Sequence, residues 1–298
     1  MKVIVSGSTG LIGRSLVPSL RESGHDVVRL VRRQPQGVDE IQWNPAAGTI
    51  DAKGLASADV VFHLAGAGIG DKRWTESHKR EILDSRVLGT GLLASTLAGL
   101  DPKPSVMVSA SAIGWYGDRG DEILVESAPQ GSGFLADVVA AWEAAAQPAA
   151  DAGIRVVHPR TGIVLSRDSL VIGRLLLPFK LGAGGRMGSG DQWWSWIALD
   201  DVVRALTNLA FVSALAGPVN LTAPNPVTNQ EFVDTFGSVL RRPTVLPTPS
   251  LAIKSILGSE LAEALVFQSQ RVVPARLLED GFDFDYPNLR EALESAIG

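Results

Sequence analysis

The chain has 298 residues, of which 45% are hydrophobic and 20% charged, a balance typical of a globular protein with a large core. Its formal net charge of −5 argues against a general nucleic-acid-binding protein, because such proteins carry a basic surface. The sequence has no cysteine, which excludes disulfides and cysteine nucleophiles, and its four histidines show no ligand spacing, so we predict no metal site.

Neither a secretory signal nor a membrane-spanning segment is visible in the sequence. The first apolar run stops at Ser6 and Gly7, too early for a signal peptide. No apolar run approaches the ~18 residues that a transmembrane helix needs. We therefore expect a protein without membrane contact in the cytoplasm, or in an organelle lumen entered by a route that the sequence does not reveal.

The first predicted elements form a β-α-β unit. The β-branched run at residues 3–5 predicts a buried parallel strand, and a helix that stops at Gly24 and a strand at residues 26–31 follow. Between the first strand and the helix lies a turn with the pattern GxxGxxG, whose glycines let backbone N–H groups approach a pyrophosphate. The predicted dinucleotide-binding residues of this turn are Gly7, Ser8, Thr9, Gly10, Leu11, Ile12 and Gly13.

The end of the second strand discriminates between the two nicotinamide cofactors. A carboxylate at this position accepts hydrogen bonds from a ribose 2′-OH, whereas arginine pairs with a 2′-phosphate. The chain has Arg32 and Arg33 directly after Val31. We therefore predict NADP(H) as the cofactor, against the alternative that both arginines are ordinary surface residues.

A third predicted strand ends in small residues within the segment 58–68. Leu64, Ala65 and Gly66 would let a ligand lie against the backbone at the sheet crevice, so we predict that they contact the cofactor. His63 lies in the body of the strand, and we expect a hydrogen-bonded core histidine there. The next predicted element is a helix that Thr75 caps.

This helix and several later motifs resemble one protein family. The chain carries "RWT" followed by "SRV" and "GT", "WNP" at 43–45, "SASAIGWYG" at 109–117, "GSGDQWWSWI" at 188–197 and the tail "SQRVVPARLLEDGFDF". Together these are similar to YfcH-like epimerase-family proteins, an atypical subgroup of the extended short-chain dehydrogenase/reductases in the NAD-dependent epimerase/dehydratase superfamily, with a C-terminal domain of unknown function. The resemblance implies that Glu81 and Arg86 face the cofactor.

The fold class follows from the β-α-β pattern and this resemblance. We predict an α/β protein with a Rossmann-like, doubly wound parallel sheet and a small, mainly helical C-terminal lobe on the substrate side. Residues 1–228 would form the NADP-binding domain, with residues 165–195 contributing to the substrate pocket. Residues 229–298 would form the C-terminal lobe.

A strand at residues 106–109 should bring the catalytic residues to the crevice. In the resembled superfamily a serine here bonds the reacting oxygen, and a tyrosine acts as acid or base with its pKa lowered by a lysine. Ser111 matches the serine, with Ser109 as second choice. Both could instead satisfy turn backbone.

The tyrosine–lysine pair of the superfamily is missing. The helix that should carry Y-x-x-x-K offers Phe134 or Leu135 at the first position and Val138 or Val139 at the second, depending on the register. The chain has two tyrosines, at 116 and 286, and the residues four positions later are glycine and arginine. The motif is therefore absent throughout the sequence.

Two hypotheses are compatible with this loss. In the first, the protein is an enzyme that acts on an unknown small carbonyl or hydroxyl compound. Tyr116 would be the substitute proton donor, and Asp118, Asp137 and the serines are weaker candidates. In the second, it is a catalytically silent NADP(H)-binding or redox-sensing protein. Tyr116 would then be a packing residue.

The remaining predictions concern the nicotinamide, the substrate and assembly. The resemblance places Pro159, Arg160 and Thr161, at the end of a further strand, beside the nicotinamide. The tryptophan-rich stretch that follows is typical of a small-molecule pocket or of plain core. The helix that begins at Phe134 is apolar on much of its circumference, from which we predict a homodimer, against burial within the same chain.

Overall fold

Strands and helices alternate along most of the chain in the computed structural model, which describes residues 1–297. The strands are β1 Lys2–Ser6, β2 Asp26–Val31, β3 Glu40–Asn44, β4 Thr49–Ile50, β5 Val60–His63, β6 Val106–Ser109, β7 Ser111–Ala112, β8 Ile123–Leu124, β9 Arg155–Thr161, β10 Ile163–Leu165, β11 Trp193–Trp194, β12 Trp196–Ala198, β13 Gly217–Leu221, β14 Val227–Thr228 and β15 Arg271–Val272. The helices are α1 Leu11–Glu22, α2 Ala52–Leu55, α3 Glu76–Ala98, α4 Phe134–Ala144, α5 Gln147–Asp151, α6 Leu170–Lys180, α7 Leu199–Phe211, α8 Asn229–Leu240, α9 Ser250–Leu257, α10 Ser259–Ala262, α11 Ala275–Glu279 and α12 Leu289–Ile297. Short 3₁₀ turns lie at Pro45–Ala47 and Ile113–Tyr116, and a π-helical turn at Glu263–Phe267.

The central sheet has the strand order β13-β9-β6-β5-β1-β2-β3-β4, with β7 pairing to β9. Neighbouring strands are parallel apart from the antiparallel pair β3–β4. The chain runs outward from β1 to β3 and then crosses back to β5 on the other side of β1, so the strand order reverses between β1 and β5. Ligands of open α/β sheets bind at such a reversal, beyond the carboxyl ends of the strands. The predicted Rossmann-like, doubly wound parallel sheet is confirmed.

Two apolar cores cover the two faces of this sheet. On one face, α1 and α7 bury Leu16, Leu20 and Leu206 against the strands. On the other, α3 and α5 bury Leu93 and Ala149. The helix boundaries follow local signals: the Thr75 hydroxyl accepts the N–H of His78 and begins α3, as predicted.

A third core lies in a lobe at the carboxyl edge of the sheet. It joins Trp194 and Trp196 to Phe232 and Phe236 of α8, and it also includes side chains of α6 and α12. Part of the tryptophan-rich stretch is therefore core. The elements after β14 are mainly helical, with β15 as the exception, and β15 pairs with β8 outside the central sheet.

Helix α4 packs within its own chain. It buries Ala136, Val138, Val139 and Trp142, and it lies against α3 and the turn Ile113–Tyr116. This packing accounts for much of its apolar surface, and the homodimer stays a prediction. None of the helices in the described residues combines the length and the apolar character needed to cross a bilayer.

Asp201, in the first turn of α7, attaches the C-terminal segment to the sheet. Its carboxylate is fully buried and accepts the backbone N–H groups of Asp285 and Tyr286, both at 2.9 Å. The Arg204 guanidinium lies 3.1 Å from the same carboxylate. Removing the carboxylate would leave two backbone donors and a cation without this partner.

We expect Asp201→Ala to lower the free energy of unfolding by about 3 kcal/mol, because buried hydrogen bonds to a charged group are lost. Urea denaturation followed by tryptophan fluorescence measures the change. Asp200→Ala is the matched control, since Asp200 is exposed in the same helical turn and should change stability by about 0.5 kcal/mol or less. Equal effects of the two substitutions would contradict the role assigned to Asp201.

Candidate functional site

The glycine turn between β1 and α1 leaves no room for side chains at two of its positions. Gly7 has a φ of +70°, and a Cβ atom there would lie 2.6 Å from the carbonyl carbon of Leu64. A Cβ atom on Gly13 would lie 2.3 Å from the carbonyl oxygen of Gly7. The turn therefore packs directly on the end of β5 and on the start of α1, and its backbone stays open to a ligand.

The N-terminus of α1 is suited to bind an anion. Gly10 is the N-cap residue and provides no side-chain cap, and the first turn contains no acidic residue. The first N–H groups of a helix have no intrahelical partner, and the helix dipole favours negative charge there. Ser8 and Thr9 lie beside these groups on the turn. The arrangement fits a pyrophosphate.

The two arginines after β2 differ in their partners. Arg33 makes a bidentate ion pair with the buried Glu40, at 2.7 and 2.6 Å. This contact lowers the pKa of the Glu40 carboxyl to about 2, so that the pair is charged at neutral pH. Arg32 is exposed and has no hydrogen-bond or ion-pair partner among residues 1–297. A 2′-phosphate would therefore find Arg32 free and Arg33 already neutralised by its partner.

Arg86 is a buried cation beside the loop that follows β5. Its guanidinium donates to the carbonyl oxygens of Ala67 and Ile82, both at 3.0 Å, and lies 4.9 Å from the ring centre of Trp142. Gly66 packs against it, since a Cβ atom there would lie 3.3 Å from the guanidinium carbon. Burial lowers the pKa of Arg86 to about 10, so it remains charged at neutral pH. Within the described residues it forms no ion pair.

Glu81 lies on the same helix as Arg86 but belongs to a surface network. Its carboxylate accepts from His78 at 3.1 Å and from Lys72 at 3.3 Å. These contacts, with His78 first, lower the pKa of Glu81. Half of the side chain is exposed, and it does not line the cavities described below.

Ser111 and Arg160 meet at a second carboxylate, Glu143 of α4. The Ser111 hydroxyl donates to Glu143 Oε1 at 2.6 Å, and Arg160 makes two bonds of 2.9 Å to the same carboxylate. Arg160 is almost fully buried and stacks 4.0 Å from the ring centre of Trp115. Ser111, which was predicted to take part in the reaction, and Arg160, which was predicted to lie beside the nicotinamide, are therefore both hydrogen-bonded to Glu143.

Tyr116 is fully buried, and its hydroxyl is hydrogen-bonded to other side chains of the protein. The hydroxyl donates to Asn220 Oδ1 at 2.7 Å and accepts from Arg160 at 3.2 Å. Burial raises the pKa of Tyr116, although Arg160 acts in the opposite direction. This geometry favours the packing alternative for Tyr116 over its predicted role as the substitute proton donor.

The remaining predicted site residues lie at the carboxyl ends of β5, β6 and β9. Ser109 is fully buried and its hydroxyl has no partner among the described residues. Pro159 is buried within β9, and Thr161 at its end lines a cavity while its hydroxyl donates to the Pro159 carbonyl at 3.2 Å. His63 bonds Ser6 and Thr90 in the core, as predicted, and burial lowers its pKa to about 4.

Two adjoining cavities lie between the sheet edge and the C-terminal lobe. Their volumes are about 310 and 260 Å³. The smaller one reaches Arg86 and Thr161 and is otherwise lined mainly by apolar side chains from α4, β11 and the π-helical turn. The larger one carries Lys79 and two glutamates, Glu260 and Glu263. The cavities therefore connect the cofactor side of the crevice with the lobe.

Both possible registers of the missing tyrosine–lysine pair place apolar side chains of α4 at the cavities. Leu135 and Val139, four residues apart on α4, both line the smaller cavity and both lie within van der Waals range of a Cβ placed on Gly114. Phe134 instead packs against Trp74, with ring centres 5.0 Å apart. An isobutyl and an isopropyl group thus occupy the wall of the cavity on this helix face.

Sequence reasoning missed several residues of this region. Glu143 is the partner of Ser111 and Arg160, and no local sequence pattern indicates this role. Asn220, which holds the Tyr116 hydroxyl, and Gln268, which lines both cavities, belong to distant segments. Trp142 lines the smaller cavity and lies under the Arg86 guanidinium, and the apolar pattern of its helix does not predict this contact.

Comparison with known proteins identifies relatives along the whole chain. Residues 3–214 match the NAD dependent epimerase/dehydratase family, and residues 248–296 match a domain of unknown function, DUF1731. The epimerase family protein Mb2239 of Mycobacterium bovis is 42% identical over 291 residues, which cover 98% of this chain and 96% of that protein. The human epimerase family protein SDR39U1 is 35% identical over 300 residues, which span both chains completely.

Solved structures of similar proteins share the fold. Human SDR39U1 (isoform 2), crystallised with NADPH, has a TM-score of 0.90 at 34% identity, and the match covers 99% of each chain. A nucleoside-diphosphate sugar epimerase from Corynebacterium glutamicum has a TM-score of 0.80 at 38% identity. That match covers all of this chain and 58% of the other.

The close contacts of the glycine turn predict unequal effects of alanine. We expect Gly13→Ala to lower the free energy of unfolding by about 2 kcal/mol or more, because its Cβ would overlap the Gly7 carbonyl oxygen. Gly10→Ala is the control, since the nearest atom to its Cβ would be 3.3 Å away and its φ is −74°. Thermal and urea unfolding compare the two variants, and a Gly10→Ala protein as unstable as Gly13→Ala would contradict this account.

Proposed function

The chain belongs to the NAD dependent epimerase/dehydratase family, as its motifs predicted, and on this basis we propose that it is an NADP(H)-binding, epimerase-like oxidoreductase. Its substrate would be a small carbonyl or hydroxyl compound. The observation that carries the proposal is the pair of arginines at the crevice, Arg32 and Arg86, which have no carboxylate partner among the described residues. The NADPH-bound crystal structure of the similar human protein supports the same cofactor.

The residues at the strand reversal fit a dinucleotide that carries a 2′-phosphate. The side-chain-free turn and the uncapped N-terminus of α1 would hold the pyrophosphate. Arg32 would pair with the 2′-phosphate, and Arg86 would neutralise a further phosphate or bind a ribose. We assign Leu64, Ala65 and Gly66 to backbone contacts with the cofactor. When bound, NADPH supplies a hydride and NADP⁺ accepts one.

The residues around the smaller cavity are better suited to bind and orient a substrate than to transfer protons to or from it. Leu135 and Val139 have no titratable group, and the Tyr116 hydroxyl is buried with a raised pKa. A general acid works best with a pKa near the working pH. Ser111 precedes Ala112, which lines the cavity, but it would have to release Glu143 to reach a substrate.

A specific observation also favours the alternative, a catalytically silent NADP(H)-binding or redox-sensing protein. The hydroxyls of Ser111 and Tyr116 are both used in hydrogen bonds within the protein. Such a protein would bind the cofactor through the same residues without turning over a substrate. For either function, a cytoplasmic location and a homodimer remain predictions from the sequence.

Cofactor preference tests the role of Arg32. We expect the wild-type protein to bind NADPH at least ten-fold more tightly than NADH, which is about 1.4 kcal/mol. Arg32→Ala should remove most of this difference, whereas Arg33→Ala should retain more of it, because Glu40 already holds the Arg33 guanidinium. Titration of tryptophan fluorescence with both cofactors measures the ratio. A ratio unchanged in Arg32→Ala would refute the assignment.

The apolar α4 face predicts negligible epimerisation of UDP-glucose. General acid–base help is typically worth about 10²–10⁴-fold in rate, and Leu135 and Val139 can provide none. Product analysis after long incubation with NADP(H) would detect the epimer. The cofactor affinity of the same sample serves as the control that the protein is folded. Robust formation of the epimer would overturn this expectation and restore a sugar-nucleotide epimerase function.

A further inference from the structure

The two cavities meet at a junction with one polar side chain. They share four lining residues, Gly114, Leu135, Ala264 and Gln268. Leu135 is one of the two residues, with Phe134, that could stand where the resembled superfamily has its tyrosine. Gln268 therefore brings an amide to the same place from the C-terminal lobe.

The Gln268 amide is free to bind a ligand. Its side chain makes no hydrogen bond to any of the residues 1–297, although a primary amide offers two donors and one acceptor. Most other polar side chains of the smaller cavity donate to the protein. These bonds run from Gln270 to the carbonyls of Ile113 and Gly117, from Ser195 to that of Gln270, from Trp194 to that of Val266, and from Trp193 to the Asp121 carboxylate.

The backbone that presents Gln268 is anchored. The π-helical turn Glu263–Phe267 precedes it, and the Gln268 N–H donates to the Glu263 carbonyl at 3.0 Å. Lys254 pairs with the Glu263 carboxylate at 2.9 Å, and Lys79 of α3 pairs with Glu260. Such turns occur frequently at functional sites. The lobe thus holds the main chain of Gln268 in place while its side chain stays unbound.

The walls of the smaller cavity specify the chemistry of the ligand. They include Ile69, Val138, Trp142 and Leu265, and no carboxylate lines this cavity within the described residues. Its cation, Arg86, is assigned to the cofactor above. The indole N–H of Trp142 has no hydrogen-bond partner among the described residues either. An apolar cavity with a free amide and no carboxylate fits a largely hydrophobic, uncharged compound with an oxygen that accepts hydrogen bonds.

We propose that Gln268 binds the substrate by donating a hydrogen bond to the oxygen of an uncharged, mainly apolar carbonyl compound in this cleft. This inference rests on the proposed function and names its substrate class. An amide does not release a proton at neutral pH. Gln268 therefore orients the ligand and does not act as the general acid.

The test compares two ligands that differ by one oxygen, 1-tetralone and tetralin. Their dissociation constants are measured by ligand-observed NMR with the full chain in the presence of NADP⁺. Gln268→Leu should weaken the binding of 1-tetralone about three- to ten-fold, the effect of one hydrogen bond. The binding of tetralin should stay unchanged. Gln230→Leu, on α8 outside both cavities, is the matched control and should change neither constant.

Several results would overturn the proposal. If Gln268→Leu raised the dissociation constants of both ligands equally, Gln268 would be a packing residue and would not bind the oxygen. Failure of 1-tetralone to bind a wild-type protein that binds NADP⁺, or its displacement by UDP-glucose at lower concentration, would exclude the substrate class. A wild-type protein that binds no NADP(H) would instead refute the proposed function, and the ligand comparison without cofactor would still decide the role of Gln268.

Discussion

A buried ion pair between Arg160 of β9 and Glu143 of α4 determines much of the geometry beside the cavities. Its two hydrogen bonds are 2.9 Å long, and Arg160 and Glu143 are both almost completely enclosed. Breaking such a pair typically costs about 3–5 kcal/mol, because the remaining charge stays buried without a partner. The pair therefore fixes α4 against the carboxyl end of the sheet. It also fixes Ser111, which donates to the same carboxylate, and Trp115, on which Arg160 stacks.

The same network extends to the C-terminal segment and leaves the cavity apolar. Arg160 donates to the Tyr116 hydroxyl, Tyr116 donates to Asn220, and the Asn220 amide donates to the Val273 carbonyl. The Tyr116 hydroxyl is thus part of the link between sheet and lobe, and the Ser111 hydroxyl joins the same ion pair through Glu143. Freeing one would leave a buried partner unsatisfied. The same hydrogen bonds therefore keep polar groups away from the cavity wall and attach the lobe to the sheet.

Local patterns explain which parts of the structure could be predicted from the sequence. The glycine turn at Gly7 and the strands around it depend on neighbouring residues, so spacing and β-branching predict them. The bond from Ser111 to Glu143 joins residues 32 positions apart, and that from Tyr116 to Asn220 joins residues 104 positions apart. No periodicity or spacing predicts such pairs. The sequence lacks the tyrosine–lysine motif, and nothing in its spacing indicates where the remaining hydroxyls point.

The arginines of the crevice differ in whether a carboxylate of the protein compensates their charge. Arg160 and Arg33 each hold a carboxylate through two bonds, so their charge is compensated within the protein. Arg32 is solvated, and Arg86 is buried with only carbonyl oxygens as partners. A buried cation without a counter-ion destabilises the free protein, which its lowered pKa reflects. An anionic ligand near Arg86 would remove that penalty, so binding at the crevice and stability of the fold are thermodynamically coupled.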